Sequence, residues 1–143
     1  LGYTQVLWLD GVEKKYIEEV GTMNVFFKIN GEVITPSLDG SILAGITRES
    51  TIELLRASGI KVTERKITIE EIYNAHEAGT LEEAFGTGTA AVISPIGELS
   101  WNGKVIKIND GKIGETASFV YNTITGIQSG KIEDKFGWTV EVK

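Results

Sequence analysis

The sequence predicts one mixed α/β (α+β) domain, a largely antiparallel sheet with flanking helices. Three observations carry that expectation. Two Asn-Gly pairs each lie between apolar runs, the signature of two-residue hairpins and so of antiparallel pairing. Helical segments with readable starts and stops lie between and after the hairpins. Strands and helices are intermixed without the regular βαβ alternation of a doubly wound sheet. A length of 143 residues suits one domain and suffices for a real core.

Taken in order, Val6-Leu7-Trp8-Leu9 is a short apolar strand closed by a turn at Asp10-Gly11. Thr22 to Ile29 and Glu32 to Thr35 flank Asn30-Gly31 as the first hairpin. Thr47 to Ser58 reads as a helix with Ile52, Leu55 and Ala57 on one broad face and Gly59 as its stop. Thr68-Ile69-Glu70-Glu71 has the capping-box pattern and opens a second helix that ends at Gly79. Ala91 to Pro95, β-branched and closed by proline, reads as a strand. Glu98 to Trp101, Asn102-Gly103 and Lys104 to Ile108 form the second hairpin. Glu115 to Ser129 makes a third helix, followed by Gly130. There is no internal repeat, low-complexity tract or interdomain linker.

Composition excludes several classes. The 41% hydrophobic and 24% charged content is that of an ordinary globular protein. No apolar run approaches the roughly 18 residues of a membrane span. A net charge of -6 disfavours nucleic acid as a partner, since phosphates demand a basic face. With no cysteine there is no disulfide framework, zinc-thiolate site or cysteine nucleophile. No carboxylate-histidine cluster has metal-ligand spacing, so no metal is expected. The single histidine, His76, falls among polar neighbours on the second helix and reads as a surface residue. Trp8, Trp101 and Trp138 read as core or interface anchors.

Three segments bear chemistry. Glu18-Glu19-Val20-Gly21-Thr22-Met23-Asn24 offers two adjacent carboxylates that a strand would point to opposite faces, so that only one can face a ligand. Glu18 reads as the solvated one of the pair, and Glu19, read alone, is a surface carboxylate at a strand end. Gly45-Ile46-Thr47-Arg48-Glu49 lies at the start of the first helix, where unpaired N–H groups and the helix dipole favour an anion. The plain alternative is a capped helix with threonine as the cap. Phe85-Gly86-Thr87-Gly88-Thr89-Ala90-Ala91 contains the dinucleotide pattern G-x-G-x-x-A, but a strand rather than a helix follows it, which rejects a Rossmann site. No Gly-Lys-Ser/Thr follows either, so it is not a P-loop. The glycines read instead as a tight loop whose backbone approaches an anion.

Together, in this order and at these separations, the three segments resemble the C-terminal, cofactor-binding domain of the branched-chain amino-acid aminotransferases. These are fold-type IV enzymes of the class IV aminotransferase family that use pyridoxal 5'-phosphate. The resemblance runs from Gln5-Val6-Leu7-Trp8-Leu9-Asp10-Gly11 to Phe136-Gly137-Trp138-Thr139-Val140. It implies that residues 1–143 are the large domain of such an enzyme, with a curved, barrel-like sheet. It also implies that the small domain and the segment holding the Schiff-base lysine lie upstream of residue 1, leaving no catalytic residue here. Lys14, Lys15 and Lys28 lack that lysine's context.

A pyridoxal phosphate site needs a lysine, a partner for the pyridine nitrogen and a phosphate cradle. The resemblance carries Glu19 to the ring nitrogen, where a carboxylate keeps the ring protonated. It carries Ile46, Thr47 and the Thr89 hydroxyl to the phosphate, and the Thr89 and Ala90 amides to the substrate carboxylate. Thr22 and Met23 would face the substrate side chain, although Met23 is equally a core filler. Some relatives place two cysteines where Ala91 and Ser94 stand, so no thiol redox switch is expected here. The implied activity moves an amino group between leucine, isoleucine or valine and 2-oxoglutarate in a cytoplasmic homodimer serving amino-acid biosynthesis. D-amino-acid transaminases and aminodeoxychorismate lyases share parts of the pattern. A non-catalytic phosphate- or ligand-binding module is the reading from a different class.

Overall fold

The computed structural model describes residues 7–9, 15–38, 42, 45–89, 92–101 and 103–139. Its spine is a pair of long antiparallel strands, β3 (Met23–Ile29) and β6 (Leu81–Gly88), in register from Asn24 opposite Thr87 to Lys28 opposite Glu83, beyond which the register shifts to set Ile29 opposite Leu81. With β6 along one edge of β3, the other edge is divided. β2 (Ile17–Val20) pairs with the start of β3, and β4 (Glu32–Thr35) pairs with its end. β1 (Leu7–Leu9) extends the sheet beyond β2, β5 (Val62–Glu64) beyond β4, and β7 (Val92–Pro95) beyond β6. Among the described pairings of named strands only β4 with β5 is parallel, and the connection between them carries the helix α1 (Ile46–Ala57). A separate hairpin, β8 (Glu98–Trp101) and β9 (Lys104–Lys107), covers part of the sheet.

Alternation along the spine divides the core into two layers. Val25, Phe27 and Ala84 face the hairpin residues Leu99 and Ile106 and the helix α2 (Ile69–Glu77), through Ile69 and Ile72. Phe26, Phe85 and Ile93 face the opposite way, onto Ile52, Leu54 and Leu55 of α1 and Ala117, Val120 and Ile124 of α3 (Glu115–Gln128). Phe26 and Phe85, opposite each other in register, stack with ring centroids 5.2 Å apart.

The turn and cap expectations follow the chemistry they rest on. Asn30 (φ 52°) and Gly31 (φ 82°) both take the left-handed region that a type I′ hairpin requires. The Thr68 hydroxyl accepts the Glu71 amide at 3.0 Å and caps α2. Several expectations are corrected. α1 opens at Ile46, and Ala57 is exposed, while Leu54, Thr51 and Arg48 join Ile52 and Leu55 on the buried face. Thr22 lies in the Gly21-Thr22 turn ahead of β3, and Ile108 lies beyond β9. The tight loop expected at Gly86 and Gly88 is instead the end of β6. A Cβ at Gly86 would stand 3.0 Å from Val20 and 3.1 Å from Met23, and one at Gly88 would stand 3.0 Å from Met23. The glycines serve strand packing beneath Met23. Val6, Asp10-Gly11, Asn102 and Ala91 lie outside the described residues.

Glu83 ties α3 to the spine. Its buried carboxylate accepts the Thr116 and Ala117 amides at 3.0 Å each, with Lys28 Nζ at 3.8 Å. Charge-assisted bonds of this type contribute about 1.5–3 kcal/mol each. A Cβ on Gly114 would fall 1.9 Å from Glu83 Oε1, so the approach to α3 admits only glycine.

The segment after α3 returns to α1 around Asp134. Its carboxylate accepts the Thr139 amide at 2.7 Å and hydroxyl at 2.9 Å, the Trp138 amide at 3.1 Å and the Phe136 amide at 3.2 Å. Phe136 and Trp138 stack at 4.4 Å, and Trp138 Nε1 donates to Glu53 on α1 at 3.1 Å. The Thr139 amide, ahead of those of Trp138 and Phe136, holds the Asp134 carboxyl down at about 2 against an ordinary 3.8. Because the folded value is the lower one, the turn's contribution is present above pH 3.8 and is lost as pH falls toward 2. The Thr139 amide resonance should stay fixed from neutrality to about pH 4 and move only below it. A midpoint near 4 would mean that the carboxylate is not held by these donors.

Candidate functional site

The three helices satisfy their N-terminal donors in different ways. Thr68 caps α2, and Glu83 reaches across from β6 to cap α3. At α1 the N-cap is Gly45 and no side chain caps it. Thr47, the second helical residue, is therefore not the cap of its own helix. Its hydroxyl lies 3.4 Å from the Gly88 carbonyl oxygen, a long contact that leaves it able to turn toward a better acceptor. The free end of α1 opens onto a cavity of about 350 Å³.

All three chemistry-bearing segments meet in this cavity. Its wall is formed by Glu19, Gly21, Thr22 and Asn24 from the β2–β3 turn region, Gly45, Ile46 and Thr47 from the start of α1, and Thr87, Gly88 and Thr89 from the end of β6. Strand register explains the floor. Glu19 pairs with Asn24 across β2 and β3, and Asn24 pairs with Thr87 across β3 and β6. Residues directly opposite in antiparallel strands share a face, so the three form one polar row. No lysine stands among the described wall residues.

Of the residues singled out in the sequence, Glu19, Thr22, Ile46, Thr47 and Thr89 all lie in the wall. Ile46 is 86% exposed, and its side chain forms an open flank of the cavity. Glu18 is half-buried rather than solvated, and it is Glu19 that borders the cavity. Met23 does not line the cavity. It sits on the other side of the sheet from Asn24, against Gly86, Gly88 and the hairpin-side core, as the core-filling alternative has it. Ala90 lies outside the described residues. His76 is half-buried in the last turn of α2, away from the cavity. Trp101 and Trp138 are half-buried against the two core layers. Among the described residues no group of three His, Cys, Asp or Glu is placed to hold a metal ion, and no helix is long and apolar enough to cross a membrane.

Sequence reasoning missed Asn24, Thr87 and Arg48. The Arg48 side chain is fully buried and pairs with Glu64 at 2.7 Å and Glu49 at 2.6 Å, and it donates to the Pro36 carbonyl at 3.2 Å. It fastens the first turn of α1 to the ends of β4 and β5, immediately behind Thr47. An arginine one position after the expected phosphate residue invites assignment to the anion. Burial and two carboxylate partners commit it to the scaffold instead.

Residues 1–99 match the family model for amino-transferase class IV. The chain belongs to the class IV aminotransferases. It is 65% identical over 141 residues to branched-chain-amino-acid aminotransferase 2 of Bacillus subtilis (strain 168), covering 99% of this chain and 39% of that protein. Branched-chain-amino-acid transaminase 1 of the same organism is 59% identical over 142 residues, with 40% of its length covered. Among solved structures, the Escherichia coli branched-chain amino acid aminotransferase superposes with a TM-score of 0.79 at 34% identity, covering 96% of this chain and 41% of that one. An aminotransferase from Brucella abortus, solved with the co-factor PLP bound, gives a TM-score of 0.67 at 32% identity, with 84% and 39% covered. The chain thus spans about two-fifths of the length of these class IV relatives.

One steric feature links cap and floor. A Cβ at Gly45 would stand 2.6 Å from Asn24 Oδ1, so the helix start rests directly on the polar row. In Gly45→Ala the buried Asn24 amide must swing into the cavity. Affinity for inorganic phosphate or pyridoxal phosphate should fall several-fold while the fold loses under about 1 kcal/mol, the low end for overpacking. Calorimetric titration beside urea unfolding checks both, and unchanged affinity would contradict the contact.

Proposed function

We propose that this chain is the cofactor-binding large domain of a pyridoxal-phosphate-dependent branched-chain amino-acid aminotransferase. The supporting observation is a single cavity with a carboxylate, Glu19, at one side and the uncapped N-terminus of α1 at the other. The cavity's volume of about 350 Å³ lies in the usual range for small-ligand pockets. Its donors suit an aromatic phosphate: amides and hydroxyls for the ester, and an acceptor for a protonated ring nitrogen. The very similar Bacillus subtilis proteins carry branched-chain names, which favours this reading over D-amino-acid transaminases and aminodeoxychorismate lyases. Activity of the full-length protein with D-alanine and none with leucine would overturn that choice.

Each residue's part follows from its chemistry. The Ile46 and Thr47 amides, the Thr47 hydroxyl and the Thr89 hydroxyl hold the phosphate at the positive end of the helix dipole. Glu19 holds a proton at the pyridine nitrogen by charge and hydrogen bonding. Bound pyridoxal phosphate supplies a ring that takes up electron density from the substrate α-carbon. The Thr89 and Ala90 amides orient the substrate carboxylate, and Thr22 borders the substrate side. The lysine that carries the cofactor, and the small domain that excludes water, belong to the part of such an enzyme that this chain does not span. The substrates are leucine, isoleucine or valine with 2-oxoglutarate, and the assembly is a cytoplasmic homodimer.

In a full-length enzyme carrying this chain, Glu19→Gln should retain pyridoxal phosphate yet lose most leucine–2-oxoglutarate turnover, because a neutral amide does not keep the ring protonated. Near-normal turnover would reject Glu19. The 143-residue chain alone, mixed with the cofactor and both substrates, should form glutamate no faster than free pyridoxal phosphate. Clear turnover would place the reacting lysine within residues 1–143.

A further inference from the structure

The polar row contains one group that the proposed roles leave unused. Thr87 is 1% exposed, lies in the cavity wall, and its Oγ1 has no hydrogen-bond partner among the described residues. A buried hydroxyl without a partner is unfavourable, and such atoms in a native fold call for an explanation. Here the register aims it. Thr87 stands opposite Asn24, on which Gly45 of the α1 start rests, and it precedes Gly88, whose carbonyl faces the Thr47 hydroxyl. Glu19 lies two strands away across β3, about 9.5 Å from backbone to backbone at the usual strand spacing. The hydroxyl is thus at the helix end of the cavity, beneath the donors of α1.

We propose that the Thr87 hydroxyl is a further phosphate donor, the floor of the cradle whose rim is Ile46, Thr47 and Thr89. This rests on the cofactor reading above and adds a residue to it. Thr87, near the end of β6, and Thr89, in the turn that follows it, both line the cavity, Thr87 buried and Thr89 exposed. One approaches the ester from below and the other from the mouth. Such a hydroxyl donates a charge-assisted bond when the anion is present and is left unmatched when it is not.

The test uses the 143-residue chain with Thr87→Val, which keeps the β-branched shape and removes the hydroxyl, and Thr87→Ser, which keeps the hydroxyl. Calorimetric titrations with pyridoxal phosphate, inorganic phosphate and phosphate-free pyridoxal are run beside melting of the ligand-free proteins. Thr87→Val should bind the two phosphates on the order of tenfold more weakly, bind pyridoxal unchanged, and melt no lower than wild type. Thr87→Ser should bind as wild type does. A lowered ligand-free melting temperature with unchanged phosphate affinity would overturn the proposal, showing a hydroxyl satisfied within the apo fold. Equal weakening toward pyridoxal would overturn it in favour of a ring contact. A crystal structure of the wild-type chain with phosphate decides without substitution: a phosphate oxygen on Thr87 Oγ1 supports the proposal, and an ordered water there instead refutes it. A folded wild type that binds neither phosphate would sink the cofactor reading itself. Normal wild-type binding matched by Thr87→Val would sink this inference alone.

Discussion

The register of β3 against β2 on one edge and β6 on the other is the constraint from which the cavity follows. It sets Glu19, Asn24 and Thr87 side by side on one face while sending Met23, Gly86 and Gly88 to the other. A slip of one residue in β3 would exchange its faces, turning Asn24 into the hairpin-side core and Val25 and Phe27 toward the cavity and the helices. The stacked pair Phe26 and Phe85 resists that slip, because both rings are fully buried on the helix side two residues from the row. The same apolar layer that fixes the sheet against α1 and α3 therefore also aligns the polar floor. Fold stability and site geometry share one cause.

Charge has to be handled with care in such a place. The chain carries a net charge of -6, yet the cavity's inferred ligand is an anion. The structure separates the two demands. Arg48 is buried behind α1 and neutralised by Glu49 and Glu64, so it holds the helix start in position without entering the cavity. Glu83 occupies the N-terminus of α3, which leaves α1 as the helix whose amides face open space in the wall. Neutral donors at a helix N-terminus suffice to favour a phosphate, and preformed ones need little reordering on binding.

Most of the local structure was legible in the residues. Asn30-Gly31, Thr68 with Glu71, and the glycines after each helix each impose a backbone conformation over a few positions, and each did so. The segments that line the cavity were picked out together by their resemblance to a known family, and the anion-binding logic of a helix start was legible at Gly45-Ile46-Thr47 alone. What escaped reading was everything that depends on pairing at long range. Gly86-Thr87-Gly88 suggested a loop, since nothing nearby in sequence reveals that Val20 and Met23 cross over those glycines. Thr87 and Asn24 became site candidates only when the register placed them beside Glu19. The part played by Arg48 depends on Glu64, sixteen positions away, which receives its guanidinium. The face of Met23 could not be told from its flexibility. Only the alternation starting from Asn24 decides it.

One cavity, floored by the Glu19-Asn24-Thr87 row and capped by α1, is inferred to receive an aromatic phosphate. Mapping amide resonances of the 143-residue chain during a pyridoxal phosphate titration tests it most directly. The largest shifts should fall at Ile46, Thr47, Gly88 and Thr89, with a second group around Glu19 to Asn24, and α2 should stay unmoved. Shifts concentrated on the α3–β7 face or on α2, with the start of α1 silent, would contradict the claim.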